Sequence, residues 1–264
     1  MIFILKDISK RNQLILEWFK KAINYLKEIE NESIEIDSKD HWNNLVTNVD
    51  KYIEEKFVEN IRRAFPSENI VSEEGFGDGE TKVKGVNWFI DPIDGTTNFI
   101  TMRKHYAIML AVYEDGVGQL GYIYNRDEDA IYMAVKDQGI YKDNQKIIFN
   151  KKDYELNEGT VGMNSHIVRE DGFYDFKRAT RNSLGIRSQG SAGLELLDLS
   201  LGNQVAFVST HLAPWDIAPG LIFLNERNII AQQFNGKLPT LTKSEPIFAA
   251  YPTAFSDIKK FLNN

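Results

Sequence analysis

Two aspartates with two residues between them stand at the end of an apolar run in the segment Trp88–Phe99. The apolar run predicts a strand ending at Asp91, after which Pro92 fixes the backbone and Asp94 supplies a second carboxylate. Gly95 then permits a tight turn into a helix start, where two hydroxyls and an amide follow. Hard oxygen ligands suit Mg²⁺, and backbone N–H groups at a helix start suit a phosphate. A turn and a capped helix would explain the Asp-Gly step alone, but the whole segment favours metal binding.

The spacing of this aspartate pair separates two kinds of phosphate chemistry. Phosphatases of the haloacid dehalogenase type also place aspartates after an apolar strand, but in an Asp-x-Asp pair whose first member is a covalent nucleophile. Here the pair is Asp-x-x-Asp with a proline between, which argues for two metal ligands instead. The chain has no cysteine, so thiolate metal sites, disulfides and cysteine nucleophiles are excluded.

Adjacent glutamates form a second acidic segment at Glu73 and Glu74. They end a short apolar run at 70–72 and precede a glycine-rich loop at 75–79. Neighbouring glutamates usually lie on a solvated surface. At the end of a strand, however, such a carboxylate can reach the same ions as Asp91.

Two further aspartates lie at predicted helix starts. Asp216 opens an apolar helix, where it would serve as the N-cap and where the helix dipole would keep its carboxylate ionised. Thr47 and Asp50 match a capping box with Asp in place of Glu or Gln. Both positions have a structural explanation, and for Asp216 that explanation is compatible with metal binding.

The composition is that of an ordinary folded protein with an acidic balance. The 264 residues are 42% hydrophobic and 26% charged, and the formal net charge is −7. No segment approaches the roughly 20 apolar residues of a membrane span, and the run Ile2–Leu5 is too short for a secretory core. We therefore expect a cytoplasmic protein with neither a membrane nor a nucleic-acid partner.

Hydrophobic periodicity predicts an α/β protein of two lobes. The predicted helices cover residues 7–31, 48–65, 193–201, 217–228 and 255–262, and Pro66 ends the second of them. The predicted strands cover residues 69–72, 87–91, 106–114, 118–125, 130–135, 160–163 and 204–209. A polar, lysine-rich stretch at 143–159 marks the junction. We expect an α+β lobe at 1–145 with most of the metal ligands, and an α/β lobe at 146–264 with Asp216 and the substrate-side residues.

The acidic segments occur in the same order in the inositol monophosphatase family, which this sequence resembles over nearly its whole length. Its signatures are Asp-Pro-Ile-Asp-Gly-Thr-Thr-Asn-Phe at 91–99 and Trp-Asp-x-Ala at 215–218. The shorter segments at 45–50, 73–74 and 190–192 also match. The resemblance implies a layered αβαβα sandwich of the sugar-phosphatase type and a homodimer. It also implies a lithium-sensitive hydrolase acting on a small phosphomonoester.

The resemblance further implies two to three Mg²⁺ ions and a set of site residues. The ligands of the first ion would be Glu73, Asp91, Thr96 and the Ile93 carbonyl. Those of the second would be Asp91, Asp94 and Asp216, with a third, weaker ion near Glu73. The catalytic residues would be Asp50 and Thr96, which orient and activate a water, together with Glu73. The substrate-binding residues would be Gly95, Thr96, Gly190, Ser191, Ala192 and Ser209.

The sequence departs from the family pattern at three places. Asn44 stands where the family often has Asp, and residues 225–228 lack the usual glycine pair. Ser209 stands where inositol-preferring members have a glutamate that binds the ring hydroxyls. We therefore expect Ser209 at the rim of the pocket and a substrate other than inositol phosphate alone. The alternatives are a nucleotide or NADP phosphatase, a sugar bisphosphatase, or a regulatory protein-binding role.

Overall fold

The computed structural model describes residues 2–39, 45–165, 167 and 174–262. Its first layer holds helices α1 (Ile2–Glu28) and α2 (Asn48–Ala64). Between them lies a small antiparallel pair, β1 (Ile36–Ser38) and β2 (Leu45–Thr47). Among these described residues no helix is both long and apolar enough to cross a membrane.

A seven-stranded sheet follows, with its strands adjacent in chain order. The strands are β3 (Asn69–Ser72), β4 (Val86–Asp94), β5 (Ala107–Glu114), β6 (Val117–Asn125), β7 (Ala130–Val135), β8 (Gly139–Lys142) and β9 (Gln145–Lys146). Strands β3 and β4 are parallel, and all later neighbours are antiparallel. The short helix α3 (Thr96–Met102) connects β4 to β5 and so begins directly after the aspartate pair.

A five-stranded sheet forms in the second half, in the order β11-β10-β12-β14-β13. Its strands are β10 (Thr160–Met163), β11 (Gly185–Arg187), β12 (Gln204–Leu212), β13 (Ile230–Gln232) and β14 (Glu245–Ala250). The helices of this half are α4 (Tyr174–Ala179), α5 (Ala192–Leu201), α6 (Pro214–Glu226) and α7 (Pro252–Leu262). Strands β10, β11 and β12 are parallel, whereas β14 runs antiparallel to both of its neighbours.

The seven-stranded sheet is buried on both faces, because successive side chains of β4 point into different cores. Trp88 and Ile90 pack in a core with Phe19 of α1. Phe89, between them in sequence, packs in a second core that also holds Ile222 of α6 and residues of the five-stranded sheet. The layers are therefore α1 and α2, the first sheet, α5 and α6, the second sheet, and α4 with α7. This confirms the predicted layered αβαβα fold.

Three strands, β3, β7 and β10, have the predicted bounds at both ends. Helix α1 begins and ends earlier than the predicted 7–31, and α6 begins at Pro214 instead of 217. The two-lobe division stays a prediction, and its boundary at 145/146 falls within β9. Asn44 lies outside the described residues.

Candidate active site

The aspartate pair lies where β4 leaves the regular ladder. Asp91 pairs with Met109 of β5 and Asp94 with Ala107, so the register shifts between the two aspartates. Asp91 is 2% exposed and its Oδ1 accepts a hydrogen bond from the Ile93 N–H at 3.1 Å. The irregular step, which begins at Pro92, thus brings two carboxylates to the end of a buried strand.

Gly95 makes the turn that joins this strand end to α3. Its φ of +97° lies in the left-handed region that favours glycine, and a Cβ there would lie 3.2 Å from the carbonyl oxygens of Gly190 and His105. The next residue, Thr96, directs its hydroxyl to the Ile93 carbonyl at 3.0 Å and to Asp50 Oδ1 at 3.2 Å. The turn therefore links the aspartate segment to helix α2.

Asp50 is fully buried in the first turn of α2. The predicted capping box is confirmed: Thr47 is the N-cap, and Asp50 Oδ2 accepts from the Thr47 N–H at 3.0 Å and from the Thr47 hydroxyl. The same carboxylate faces Thr96 through Oδ1. Capping leaves one oxygen of Asp50 directed toward the site, so the structural and catalytic roles use different atoms.

Glu73 directly follows β3, and its backbone N–H donates to the Ile90 carbonyl at 3.2 Å. Its side chain lines the same cavity as the aspartates. The ammonium of Lys39 lies 2.9 Å from Glu73 Oε1 and 2.7 Å from Glu74 Oε1. The Lys39 ammonium group therefore neutralises part of the negative charge of these carboxylates.

Asp94 is held by the first turn of α5, from the other half of the chain. Its carboxylate accepts hydrogen bonds from the Ser191 hydroxyl at 2.5 Å, the Ala192 N–H at 3.1 Å and the Gly193 N–H at 2.6 Å. Ser191 is also the N-cap of α5. Ser191 and Ala192, predicted as substrate-binding residues, thus have a second task as partners of Asp94.

Gly193 was not among the predicted site residues. A Cβ at this position would lie 2.1 Å from the sulfur of Met109 and 3.0 Å from Asp94 Oδ2, so only glycine lets the helix approach the strand. The signal available in the sequence was the glycine directly after the Gly-Ser-Ala run.

Asp216 occupies the third position of α6, and the prediction that it is the N-cap is wrong. Ala213 is the N-cap and Pro214 occupies the first helical position. Asp216 Oδ2 reaches back to accept the Ala213 N–H at 2.8 Å. Because Pro214 already fits the first turn, the helix begins earlier than its apolar pattern indicates.

These segments enclose a cavity of about 270 Å³. Every predicted site residue except Asp50 and Ser209 lines it. Asp50 lies behind Thr96, to which it is hydrogen-bonded. The lining residues that the sequence did not indicate are Met163, Asn164, Ser165, Ser188, Glu195, Phe207 and Leu212.

The prediction that Ser209 lies at the rim of the pocket is wrong. Ser209 is 0% exposed, and its hydroxyl accepts a hydrogen bond from Asn164 Nδ2 at 2.9 Å. The Asn164 side chain also contacts the Thr210 hydroxyl at 3.4 Å. Asn164 therefore lies between Ser209 and the cavity, and any effect of Ser209 on a substrate acts through that amide.

The carboxylates around the cavity repel one another in a dry environment. Burial raises the pKa of Asp91 well above its ordinary value, and nearby carboxylates raise it further. These neighbours are Glu73, Asp94 and Asp216. Burial likewise raises the pKa of Asp94 to about 6, against the lowering effect of its hydrogen bonds from α5.

A hard divalent cation fits this donor set, since it would relieve the repulsion and is suited by carboxylate oxygen. Across the described part of the chain, no three acidic or histidine side chains already form a preassembled metal cage. The fit therefore rests on the chemistry of the donors and their shared cavity.

We expect the metal-free protein to lose stability as pH rises from about 4 to about 7. Asp50 and Asp94 have pKa values of about 6 in the fold against 3.8 for the free side chain, because both are buried. A carboxyl group whose pKa is raised in the fold stabilises the protein at pH values below its unfolded-state pKa. That stabilisation is lost as the pH rises through the folded-state pKa. Mg²⁺ replaces protons at such groups, so its stabilising effect should grow with pH.

The measurement is the Tm of thermal unfolding in chelator and in Mg²⁺, at several pH values between about 5 and about 8. Choline chloride at matched ionic strength is the control for screening. An Mg²⁺-induced shift in Tm of the same size at both ends of that range would contradict the charge assignment.

Comparisons with known proteins identify the family. The model of the inositol monophosphatase family matches residues 7–261. Inositol-1-monophosphatase of Bacillus subtilis (strain 168) is 33% identical over 250 residues, which cover 94% of each chain. The chain belongs to the inositol monophosphatase family. As a member, it is a hydrolase of phosphate monoesters.

One further sequence relative and one solved structure are also similar to this chain. Nus factor SuhB of Pasteurella multocida (strain Pm70) is 30% identical over 214 residues, 79% of each chain. A crystal structure of an IMPase/NADP phosphatase complexed with Mg²⁺ and phosphate superposes with a TM-score of 0.88 at 25% identity. That match covers 97% of this chain and 96% of the other.

Proposed function

We propose that this protein is a Mg²⁺-dependent phosphomonoesterase that uses an activated water and forms no covalent intermediate with the protein. The observation that carries the proposal is the shared cavity, into which three separate segments place the carboxylates of Glu73, of Asp91 with Asp94, and of Asp216 beside the Gly95 turn. The proposed ion ligands are Glu73, Asp91, Asp94, Asp216 and the Ile93 carbonyl. The IMPase/NADP phosphatase structure with Mg²⁺ and phosphate supports this choice of ion.

Bound Mg²⁺ would supply Lewis acidity toward the phosphate and lower the pKa of a water. Asp50 and Thr96 orient that water, since Asp50 accepts the Thr96 hydroxyl and is itself fixed by the cap of α2. Asp50 is buried and already directs one oxygen toward the site, so it is the group placed to receive a proton. The backbone N–H groups of Gly95 and Thr96 would bind the phosphate oxygens.

The part of the cavity next to α5 and the end of β10 would receive the rest of the substrate. Gly190, Ser191 and Ala192 line it from the start of α5, and Asn164 lines it from the end of β10. Asn164 can offer a neutral amide, whereas a glutamate near this place would accept charge-assisted bonds from a vicinal diol. We infer a broad substrate range that includes nucleotide phosphates such as NADP, with inositol phosphate handled less well.

Phosphate release tests this function directly. Purified protein is assayed on inositol 1-phosphate, NADP, 3′-phosphoadenosine compounds and a sugar bisphosphate, in Mg²⁺ and in chelator. We expect Mg²⁺-dependent release, inhibition by Li⁺, and a kcat/KM for a nucleotide substrate at least equal to that for inositol phosphate. Release that persists in chelator would contradict the metal mechanism, and a strong preference for inositol phosphate would contradict the substrate inference.

The remaining features of the proposal follow from the family resemblance. We propose a cytoplasmic homodimer with two to three Mg²⁺ ions in each site and no nucleic-acid partner. The acidic net charge of −7 supports the last point, since nonspecific nucleic-acid binding depends on cationic surface.

A regulatory role is the second candidate, and similarity to a Nus factor is the observation that favours it. The two functions differ in what the acidic site must do. A purely regulatory protein would tolerate loss of Asp91, whereas an enzyme would not. Affinity capture from extract with the wild type and with Asp91→Asn, beside the phosphate assay, separates the two.

A further inference from the structure

Helix α2 carries a second buried carboxylate, one turn after Asp50. Glu54 has no exposed surface, and none of the roles described above uses it. Its Oε1 accepts hydrogen bonds from the Ser72 hydroxyl at 2.6 Å and the Phe76 N–H at 3.0 Å. Its Oε2 accepts the Glu74 N–H at 2.7 Å. A carboxylate is costly to bury unless it is hydrogen-bonded, and here the donors all lie between residues 72 and 76.

These donors belong to the segment that carries Glu73. Strand β3 ends at Ser72, and the Glu73 N–H makes the last bond of this segment to β4, at Ile90. The chain then reverses at Gly75, whose φ is +85°, and the Gly77 N–H returns to the Ser72 hydroxyl at 3.1 Å. The turn after Glu73 therefore closes around the Glu54 carboxylate.

Helix α2 consequently fixes two parts of the site at once. Asp50 and Glu54 are four residues apart, so they lie on the same face of the helix. Asp50 faces Thr96, whereas Glu54 binds the backbone on the C-terminal side of Glu73. The distance between the water-orienting group and the Glu73 carboxylate is thus set through one rigid element.

We propose that Glu54 is a positioning residue that holds the Glu73 loop and thereby sets the affinity of the site for its metal ions. The inference rests on the proposed metal-dependent function. It assigns Glu54 no contact with substrate or ion, since its oxygens are engaged by the loop. Groups that orient metal ligands typically contribute 10–100-fold (roughly) to metal affinity.

The test is Glu54→Gln, which keeps the shape of the side chain but replaces one acceptor oxygen with an N–H donor. We expect the Mg²⁺ concentration for half-maximal activity to rise about 10–100-fold. At saturating Mg²⁺, kcat should stay within about threefold of the wild type, because the reacting groups are unchanged. Glu55→Gln is the matched control, since Glu55 is the exposed neighbour on the same helix and should leave both values unaltered.

A second readout does not depend on activity. Thermal unfolding is followed during Mg²⁺ titration, and the Mg²⁺ midpoint is taken as the dissociation constant of the folded protein for Mg²⁺ that fits the rise of Tm with concentration. This midpoint should rise by the same factor for Glu54→Gln. A lower Tm in chelator with an unchanged Mg²⁺ midpoint would show a purely structural role and overturn the proposal.

If Glu54→Gln does not fold, Ser72→Ala removes one of the three donors and should raise the midpoint by a smaller factor. An unchanged midpoint in Ser72→Ala would then overturn it.

The two proposals fail in distinguishable ways. A wild type that releases no phosphate from any substrate would overturn the proposed function, while the thermal titration would still decide the role of Glu54. A normal, Mg²⁺-dependent wild type with a Glu54→Gln midpoint equal to that of Glu55→Gln would overturn only the role of Glu54.

Discussion

Asp91→Asn should lower kcat/KM by more than about 10³-fold, beyond the 10–100-fold typical of residues that only support a ligand. Asp91 lies where the regular ladder of β4 ends and is almost fully buried. Its pKa is raised by all three neighbouring carboxylates, Glu73, Asp94 and Asp216. It is therefore the group best placed to bridge two ions. The amide of Asn carries no charge and leaves the site with one ligand oxygen fewer.

The same substitution should leave the metal-free protein as stable as the wild type or more so. Removing one charge from a buried acidic cluster relieves repulsion, and the benefit should be largest above about pH 6, where Asp94 is ionised in the fold. Tm in chelator checks this point. Asp137→Asn is the control, because Asp137 is exposed and its φ of 60° is one that asparagine tolerates.

Near-normal turnover of Asp91→Asn at saturating Mg²⁺ would show that the ion site is wrongly assigned. A large loss of activity together with a large loss of stability would show a folding defect, and that result would not support the metal assignment either.

Asp50→Asn should lower kcat by about 10²–10⁴-fold, the usual contribution of a positioned general base, with little change in the Mg²⁺ midpoint. The carboxylate has one oxygen in the cap and the other 3.2 Å from the Thr96 hydroxyl. Asn keeps an acceptor for the cap but cannot take a proton. The measurements are kcat as a function of Mg²⁺ and Tm in chelator.

Thr47→Ala separates the cap from the chemistry in this experiment. It removes the N-cap hydroxyl and should cost about 1 kcal/mol of stability, while the Asp50 carboxylate remains. Its kcat should fall far less than that of Asp50→Asn. Equal losses in the two variants would mean that Asp50 acts only through the helix cap. We therefore expect Asp50→Asn to change mainly kcat, and Glu54→Gln to change mainly the affinity for Mg²⁺.

The acidic core of the site could be predicted because its chemistry is local. Asp91 and Asp94 stand in one short segment, and an apolar strand ending in two carboxylates is visible in the sequence alone. The cap at Thr47 and Asp50 is equally local, and its predicted form is the one observed. In such segments the spacing along the chain sets the geometry directly.

The partners of Asp94 could not be predicted in the same way. Ser191 lies 97 residues further along the chain, and only the packing of α5 on the first sheet brings the two together. Ser209 was misplaced for a related reason, because Asn164 of a neighbouring strand end covers it. Contacts between distant segments depend on tertiary packing that periodicity does not encode.

Two other features run against the usual sequence rules. Glu54 is charged and fully buried, whereas an acidic residue on an amphipathic helix normally indicates the solvent face. Strand β14 includes Pro246, and a proline in a run argues against a strand in the interior of a sheet. The proline is tolerated because it is the second residue of the strand, close to the end of the ladder.

The attachment of Asp94 to α5 has a consequence for how activity is lost. Asp94 comes from the first sheet, while its three donors belong to a helix that packs between both sheets. The second half of the fold therefore cannot detach or fray at α5 without releasing Asp94. Catalytic sites on exposed loops are often inactivated by mild denaturant before the fold melts. We therefore expect inactivation and cooperative unfolding to coincide here, so that residual turnover in denaturant would measure the fraction of folded molecules.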